Sequence, residues 1–283
     1  MVTTAQGWMQ RRYLTRFRAA WHRVALWRLI SAARIRGYHR IPEAPFRMWL
    51  EPRFRSVGSL AVYSLGLRYE QALRLLPRML VEGDGFIDCG ANQGVYGLYA
   101  ASIVKASGRV VSIEPQPYAA QSIRNSARYN RFDHLTVLEA AISDKVGEAE
   151  FGIGNEPVSA SLGKKSDNSI RVKTVTLDSV MTELNLLKVS YIKLDVEGSE
   201  LLALQGGAGC VARFQPVIQF EAYDMSDPNV QGVWTHLAAA GYKFFAPESD
   251  ALRPLGADRP QSFDVIALPA ARLDQFASLI KAS

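Results

Sequence analysis

Three observations predict an α/β fold, a mostly parallel sheet with helices on both faces. From about residue 80, short β-branched runs alternate with helical stretches, the pattern of a sheet covered on both sides. The first two runs close on an acid, Asp88 and Glu114, and the first acid leads into a glycine-rich turn. The chain has 283 residues and is 48% hydrophobic, enough to bury one large core. Nothing in the composition points to a collagen-like, disordered or solenoid protein.

The charge is unevenly placed. Residues 1–55 hold twelve arginines, no lysine, and only Glu43 and Glu51 as acids, a net +10, whereas the whole chain carries +6. The positive excess therefore belongs to an N-terminal arm, 1–55, and not to the body, 56–283, whose motifs fall within 80–225. Residues 10–30 read as an amphipathic helix. Tyr13, Leu14, Phe17, Trp21, Val24 and Ala25 fall on one side, and Arg11, Arg12, Arg16, Arg18 and Arg23 on the other. Four of the five tryptophans (Trp8, Trp21, Trp27, Trp49) lie in this arm. Two expectations follow. Residues 8–30 touch a membrane surface, guanidinium on lipid phosphate and indole at the headgroup boundary; or the aromatic face packs on the body and the arginines stay in water. The single basic stripe has no accompanying nucleic-acid motif, so no nucleic-acid partner is expected.

No stretch reaches the roughly 18 apolar residues of a membrane span, and no secretory signal is expected. Cys89 and Cys210 lie far apart, which fits a reducing compartment without disulfides. The expected location is the cytoplasm, with the arm able to rest on the inner face of the membrane. His22, His39, His134 and His236 show no ligand spacing, and no metal is expected.

In the body, 85–88 is a short run closing on Asp88, and 95–104 reads as a helix. The run 109–114 closes on Glu114, 119–130 reads as a helix, and 135–140 is a third strand. Residues 191–195 lead into a helical stretch at 200–204, and 216–221 follow as another run. Segments 149–153 and 171–177 look like an inserted β pair around the loop 154–170, a candidate substrate lid. Segments 242–246 and 263–268 look like a closing hairpin at the antiparallel edge.

In such sheets ligands bind beyond the carboxyl ends of the strands, where strand order switches. The turn Asp88-Cys89-Gly90-Ala91-Asn92-Gln93-Gly94 opens a helix there. Its glycines allow a tight turn and close backbone approach to a ligand. Their spacing is not the dinucleotide pattern, and an acid before them disfavours a phosphate but suits an ammonium group, such as the amino-acid part of S-adenosylmethionine presents. Glu114 is placed to accept the ribose hydroxyls.

The segments Phe86–Gly94, Ile113-Glu114-Pro115, Thr176-Leu177-Asp178 and Ile192-Lys193-Leu194-Asp195-Val196-Glu197-Gly198-Ser199-Glu200 resemble the FkbM family of methyltransferases. The resemblance runs from about Tyr69-Glu70 to Glu221. Cys89 departs from it, standing where the family has valine or another small apolar residue. The resemblance implies a Rossmann-like class I methyltransferase fold using S-adenosylmethionine. It also implies methylation of a hydroxyl on a sugar, glycan or other metabolite. Asp88, Gly90, Asn92 and Gly94 would line the methionine part, Glu114 would hold the ribose, and the turn Ala141-Ile142-Ser143-Asp144 would lie near adenine.

Methyl transfer to a hydroxyl needs alignment and a base within hydrogen-bond reach. Asp195, Glu197 and Glu221 close the fourth and fifth runs beside the expected crevice. Asp195 is the expected base, Glu197 or Glu221 the group that orients the acceptor, and Lys193 their counter-charge. Glu200 is expected in the first turn of its helix and Asp178 as the cap of a helix over 179–186. Glu197 has a structural alternative as a helix cap, and the three acids together have one as a cation site. Two other functions share this pattern: a nicotinamide-dependent oxidoreductase or epimerase, and a non-catalytic membrane-associated binding protein.

Overall fold

A computed structural model describes residues 17–51, 57–152, 161–162, 169–222, 224–256 and 264–281. The strands are β1 (Gly37–Arg40), β2 (Arg47–Leu50), β3 (Gly85–Cys89), β4 (Arg109–Ile113), β5 (Leu135–Leu138), β6 (Ala141–Ile142), β7 (Gly147–Gly152), β8 (Ser161–Leu162), β9 (Ser169–Val175), β10 (Tyr191–Leu194), β11 (Val217–Glu221), β12 (Tyr242–Glu248), β13 (Ala251–Pro254) and β14 (Asp264–Pro269). The helices are α1 (Trp21–Ala32), α2 (Val57–Leu65), α3 (Gln71–Met79), α4 (Val95–Val104), α5 (Pro117–Asn130), α6 (Leu177–Glu183), α7 (Glu200–Gln205), α8 (Ala208–Phe214) and α9 (Pro228–Ala239).

The main sheet has the order β13-β12-β14-β11-β10-β3-β4-β5. Its central pairs, β11–β10, β10–β3, β3–β4 and β4–β5, are parallel. Strands buried on both faces read as mainly apolar runs, and β3 is buried at every position, Asp88 included. Two large core clusters cover the two faces. Strand order reverses between β3 and β10, and this reversal fixes where the site lies.

The expected closing hairpin is corrected in one respect. The strands over 242–246 and 263–268 do pair, but β13 intervenes in sequence, and β14 lies between β11 and β12, antiparallel to both. The inserted β pair is present as β7 and β9, within a second sheet of order β6-β9-β7-β8. Most of the expected lid, 154–170, lies outside the described residues.

Two helix readings also change. The expected helix 179–186 is α6, and its cap is Thr176, whose hydroxyl accepts from Ser179 N. Asp178 instead accepts from Gly209 N and Cys210 N at 3.0 and 2.7 Å, holding the first turn of α8. A carboxylate there satisfies donors that a helix start leaves open.

In the arm, the helical face differs from the expected one. Ala20, Trp27 and Ser31 point inward, and Trp21 is 69% exposed. Besides Trp27 the inward stripe uses Ala20 and Ser31, small residues that a search for large apolar side chains passes over. Arg23 is not in water either. Its guanidinium lies over the Tyr63 ring at 4.5 Å and donates to Tyr63 O and Arg40 O at 2.8 and 3.0 Å. Residues 10–16 of the predicted helix lie outside the described residues. The boundary near residue 55 drawn from charge does not coincide with a break in packing. Ile41, Phe46, Met48 and Leu50 join the core of the body, and Trp49 N donates to Ser126 Oγ at 2.8 Å.

Candidate active site

The site is built on the tips of β3, β4, β10 and β11. After β3, Gly90, Asn92 and Gly94 adopt positive φ angles of 75°, 49° and 79°. The turn is packed hard against β10. A Cβ on Gly90 would lie 1.8 Å from Asp195 O, and one on Gly94 would meet the Ile123 side chain. Gly90 therefore admits a neighbouring strand, beyond the ligand approach read from its sequence. Gln93 Nε2 donates to Ser59 Oγ, so α2 braces the same turn.

Glu114 ties the turn to β4. Its Oε2 accepts from Asn92 N at 2.7 Å and its Oε1 from Gln116 N at 2.9 Å. Burial raises its proton affinity to about 7, and these two donors offset only part of that rise. Each oxygen keeps a second lone pair, as a ribose clamp requires.

Asp88 is 1% exposed and sits beneath the turn. Its Oδ2 accepts from Gly97 N at 3.0 Å, fixing the start of α4. Burial pushes its proton affinity up to about 6, against the lowering pull of Lys193 and Gly97 N. Asp88 Oδ1 and Gln93 Oε1 are buried without a hydrogen-bond partner among the described residues. Unpaired acceptors beside a glycine turn fit the ammonium of S-adenosylmethionine, and the Glu114 carboxylate fits its ribose.

Ala141, Ser143 and Asp144 form a separate locus. Leu138 O accepts from Glu114 N, so this segment begins three residues beyond the strand end that borders Glu114. Ala141 is buried in β6, Ser143 N donates to Val175 O, and Ser143 O lies against Gly206.

The three acids converge as expected. Asp195, Glu197 and Glu221 each offer a carboxylate oxygen, and these atoms lie within 4.8 Å of one another. Oxygens so placed suit either hydroxyl donors or a divalent cation. Lys193 Nζ contacts Asp195 Oδ2 at 2.7 Å. Burial would lower the Lys193 proton affinity, but Asp195, Asp88 and Glu70 together reverse this and raise it, so the ammonium persists. Glu197 has φ +51°, a conformation that L-residues hold only when their surroundings enforce it. Glu200 supplies that enforcement. Its carboxylate accepts from Val196 N, Gly198 N and Asn229 Nδ2, which confirms its structural role and leaves Glu197 at the tip.

Strand register explains the convergence. Ser112, Asp88, Lys193 and Gln219 are direct neighbours across β4, β3, β10 and β11, so their side chains share one face. Asp195 and Glu221 stand two residues further along, and Asp264 pairs with Glu221 from β14.

Sequence reasoning missed Glu70, Tyr96, Gln219 and Asp264. Tyr96 Oη donates to Glu70 Oε2, and Gln219 Nε2 donates to Tyr96 Oη at 2.9 Å and to Asp264 Oδ1 at 3.2 Å. Tyr191 Oη donates to Gln219 Oε1 at 2.8 Å. The available signal was a polar residue inside an apolar strand, at Lys193 and at Gln219.

The chain is similar to several known proteins. Hexuronic acid methyltransferase AglP of Haloferax volcanii is 28% identical over 144 residues, 50% of this chain and 57% of that protein. The matched region thus spans little more than half of that relative. Among solved structures, methyltransferase FkbM from Methylobacillus flagellatus is 17% identical with a TM-score of 0.46, over 74% of this chain and 53% of that one. Aeropyrum pernix fibrillarin, solved with S-adenosylmethionine bound, is 11% identical with a TM-score of 0.40, over 70% and 73%. The family model described as the methyltransferase FkbM domain matches residues 88–244, more than half of the chain. With residues 88–244 matched by that model, the chain belongs to the FkbM family of methyltransferases.

Proposed function

We propose that this methyltransferase transfers the methyl group to a hydroxyl of a sugar or glycan. The observation that carries the reading is the convergence of Asp195, Glu197 and Glu221 at the tips of β10 and β11, against the glycine turn. When bound, the donor supplies an electrophilic methyl on its sulfonium, so the chain has to place the acceptor and remove one proton. In this reading Asp195 takes the hydroxyl proton, and Lys193, at 2.7 Å, fixes the direction of its carboxylate. Glu197 and Glu221 accept hydrogen bonds from neighbouring hydroxyls, which favours an acceptor with several of them. Glu114 holds the ribose, the Gly90–Gly94 turn and Asn92 enclose the methionine part, and Ala141, Ser143 and Asp144 border the adenine. The hexuronic acid named in the Haloferax relative supports the sugar class.

The test is methyl transfer from labelled donor to a panel of neutral hexoses and hexuronic acids, followed by mild alkali. An ether survives alkali and an ester does not. Asp195→Asn should lower kcat at least about a hundredfold and leave binding of S-adenosylhomocysteine unchanged. Transfer only to a carboxylate or an amine would overturn the reading.

A second reading concerns the arm. Trp21, Leu26 and Leu29 face outward on α1, and Arg18, Arg28 and Arg34 are exposed around them. We propose that this face rests on an anionic membrane surface, where indole and guanidinium both find partners. Among the described residues no helix is long and apolar enough to cross a membrane. Phosphatidylglycerol vesicles should pellet the full chain and leave Trp21→Ser/Leu29→Ser in the supernatant; equal pelleting refutes the contact.

A further inference from the structure

One half-buried acid, Glu70, has no part in the chemistry above. It occupies the cap position before α3 with extended backbone, yet its side chain does not cap that helix. Instead it accepts the hydroxyl of Tyr96, from α4. The bonds behind that contact are all directed. Tyr96 has one proton, given to Glu70, and its oxygen is filled by Gln219 Nε2. The second amide proton of Gln219 goes to Asp264, and its carbonyl is filled by Tyr191. Lys193 Nζ lies 4.8 Å from the centre of the Tyr96 ring and pairs with Asp195.

The groups facing Glu70 are Tyr96 from α4, Asp264 from β14, and Lys193 and Asp195 from β10. Burial, then the Asp264 charge, raises its proton affinity to about 8, against the pull of Lys193 and the Tyr96 hydroxyl. At neutral pH it therefore carries a proton. An ionised Glu70 would offer Lys193 a second anion and draw the ammonium away from Asp195.

We propose that Glu70 is a positioning residue for methyl transfer: by accepting the Tyr96 hydroxyl it ends the Tyr96–Gln219–Asp264 chain and holds the Tyr96 ring against the Lys193 ammonium that pairs with Asp195. The proposal rests on the methyl-transfer reading above, in which Asp195 is the base.

Two measurements test it. In the first, kcat for the sugar acceptor found by the panel is followed against pH. Wild type should lose activity about tenfold per pH unit above roughly pH 8. Glu70→Gln should keep kcat at pH 7 within about threefold and lack that alkaline loss, because the amide cannot ionise. Asp264→Asn should move the loss about one unit lower by removing the neighbouring anion, and Tyr96→Phe should move it higher by removing the donor that favours the anion. A residue needed only for folding would change stability and leave the pH limb where it was.

The second measurement needs no acceptor. Carboxyl-carbon NMR of glutamate-labelled whole chain should show one resonance titrating near pH 8, absent in Glu70→Gln. The Lys193 Nζ resonance should move with it in wild type only. A Glu70 carboxyl that titrates below about pH 6, or an alkaline loss unchanged in Glu70→Gln, overturns the proposal. Failure of the sugar reading is distinct: wild type then methylates no sugar at any pH, and the carboxyl titration alone judges Glu70.

Discussion

The contact between Gly90 and Asp195 gives a substitution whose effect can be worked out in parts. In Gly90→Ala the new Cβ would stand 1.8 Å from Asp195 O and 2.8 Å from its carbonyl carbon. Since real Cβ contacts essentially never fall under 3.0 Å, the tips of β3 and β10 must separate by more than 1 Å. The bond from Asp195 N to Cys89 O, 3.1 Å, spans that same seam and is lost. The backbone term at φ +75° costs about 1–2 kcal/mol. The lost hydrogen bond adds about 1 kcal/mol and the overpacking about 1–3 kcal/mol. The sum, roughly 3–6 kcal/mol, is a large share of a stability that for most proteins is about 5–15 kcal/mol. Gly241→Ala is the control, because Gly241 has φ +83° and open space where the Cβ would go. It bears the backbone term alone. Urea unfolding should therefore show Gly90→Ala less stable than Gly241→Ala by about 2–4 kcal/mol, a midpoint drop near 1 M for a slope of about 3 kcal/mol/M. Calorimetry should show S-adenosylhomocysteine binding weakened at least about tenfold in Gly90→Ala only, a loss near 1.4 kcal/mol. Equal stability of the two variants, with product binding intact, would refute the packing argument.

Three further outcomes follow from the same charges. Lys193→Met should destabilise the protein by about 3–5 kcal/mol at pH 7, because it strands the Asp195 and Asp88 carboxylates; urea unfolding at pH 7 and pH 5 should show the penalty shrinking at the lower pH. Glu114, with its folded proton affinity raised from 4.5 to about 7, binds more protons folded than unfolded in that window. Its contribution to stability is thus fully present below pH 4.5 and falls as pH rises to 7, on the order of 3 kcal/mol, and Glu114→Gln should flatten that part of the pH curve. Metal-stripped protein should methylate at the full rate; rescue by magnesium would show that Asp195, Glu197 and Glu221 serve a cation instead of the acceptor.

What could be read from the chain depended on how local the cause was. The strands at 85–89, 109–113 and 191–194 are mainly apolar because both their faces are buried, and each is interrupted inside by one polar residue, Asp88, Ser112 or Lys193, on the shared face. The turn at Gly90–Gly94 and the trio Asp195, Glu197 and Glu221 were legible for a related reason: each follows the end of a strand whose direction was already fixed. The nicotinamide alternative gives way to the family match, and the glycine spacing had already weighed against it. What stayed hidden was long-range. No local pattern places β14 between β11 and β12, so Asp264 could not be assigned to the site. Nothing local joins Glu70 to Tyr96, 26 residues away, which donates to it. Asp178 reads as the cap of its own helix but serves α8, and the inward face of α1 includes Ser31, which does not read as a core residue.

The position of β14 bears on how the molecule is made. A ribosome delivers β11 and β12 long before residues 264–269, and until then those two strands have no common neighbour. Both carry open hydrogen-bonding edges during that interval, the kind of surface that pairs with other nascent chains. The strand that closes the gap comes after both of them in the chain, and it sets Asp264 beside Glu221 and within reach of Gln219. Until Asp264 is made, β11 and β12 therefore keep edges that other chains can pair with, and insertion of β14 is the step that ends this exposure.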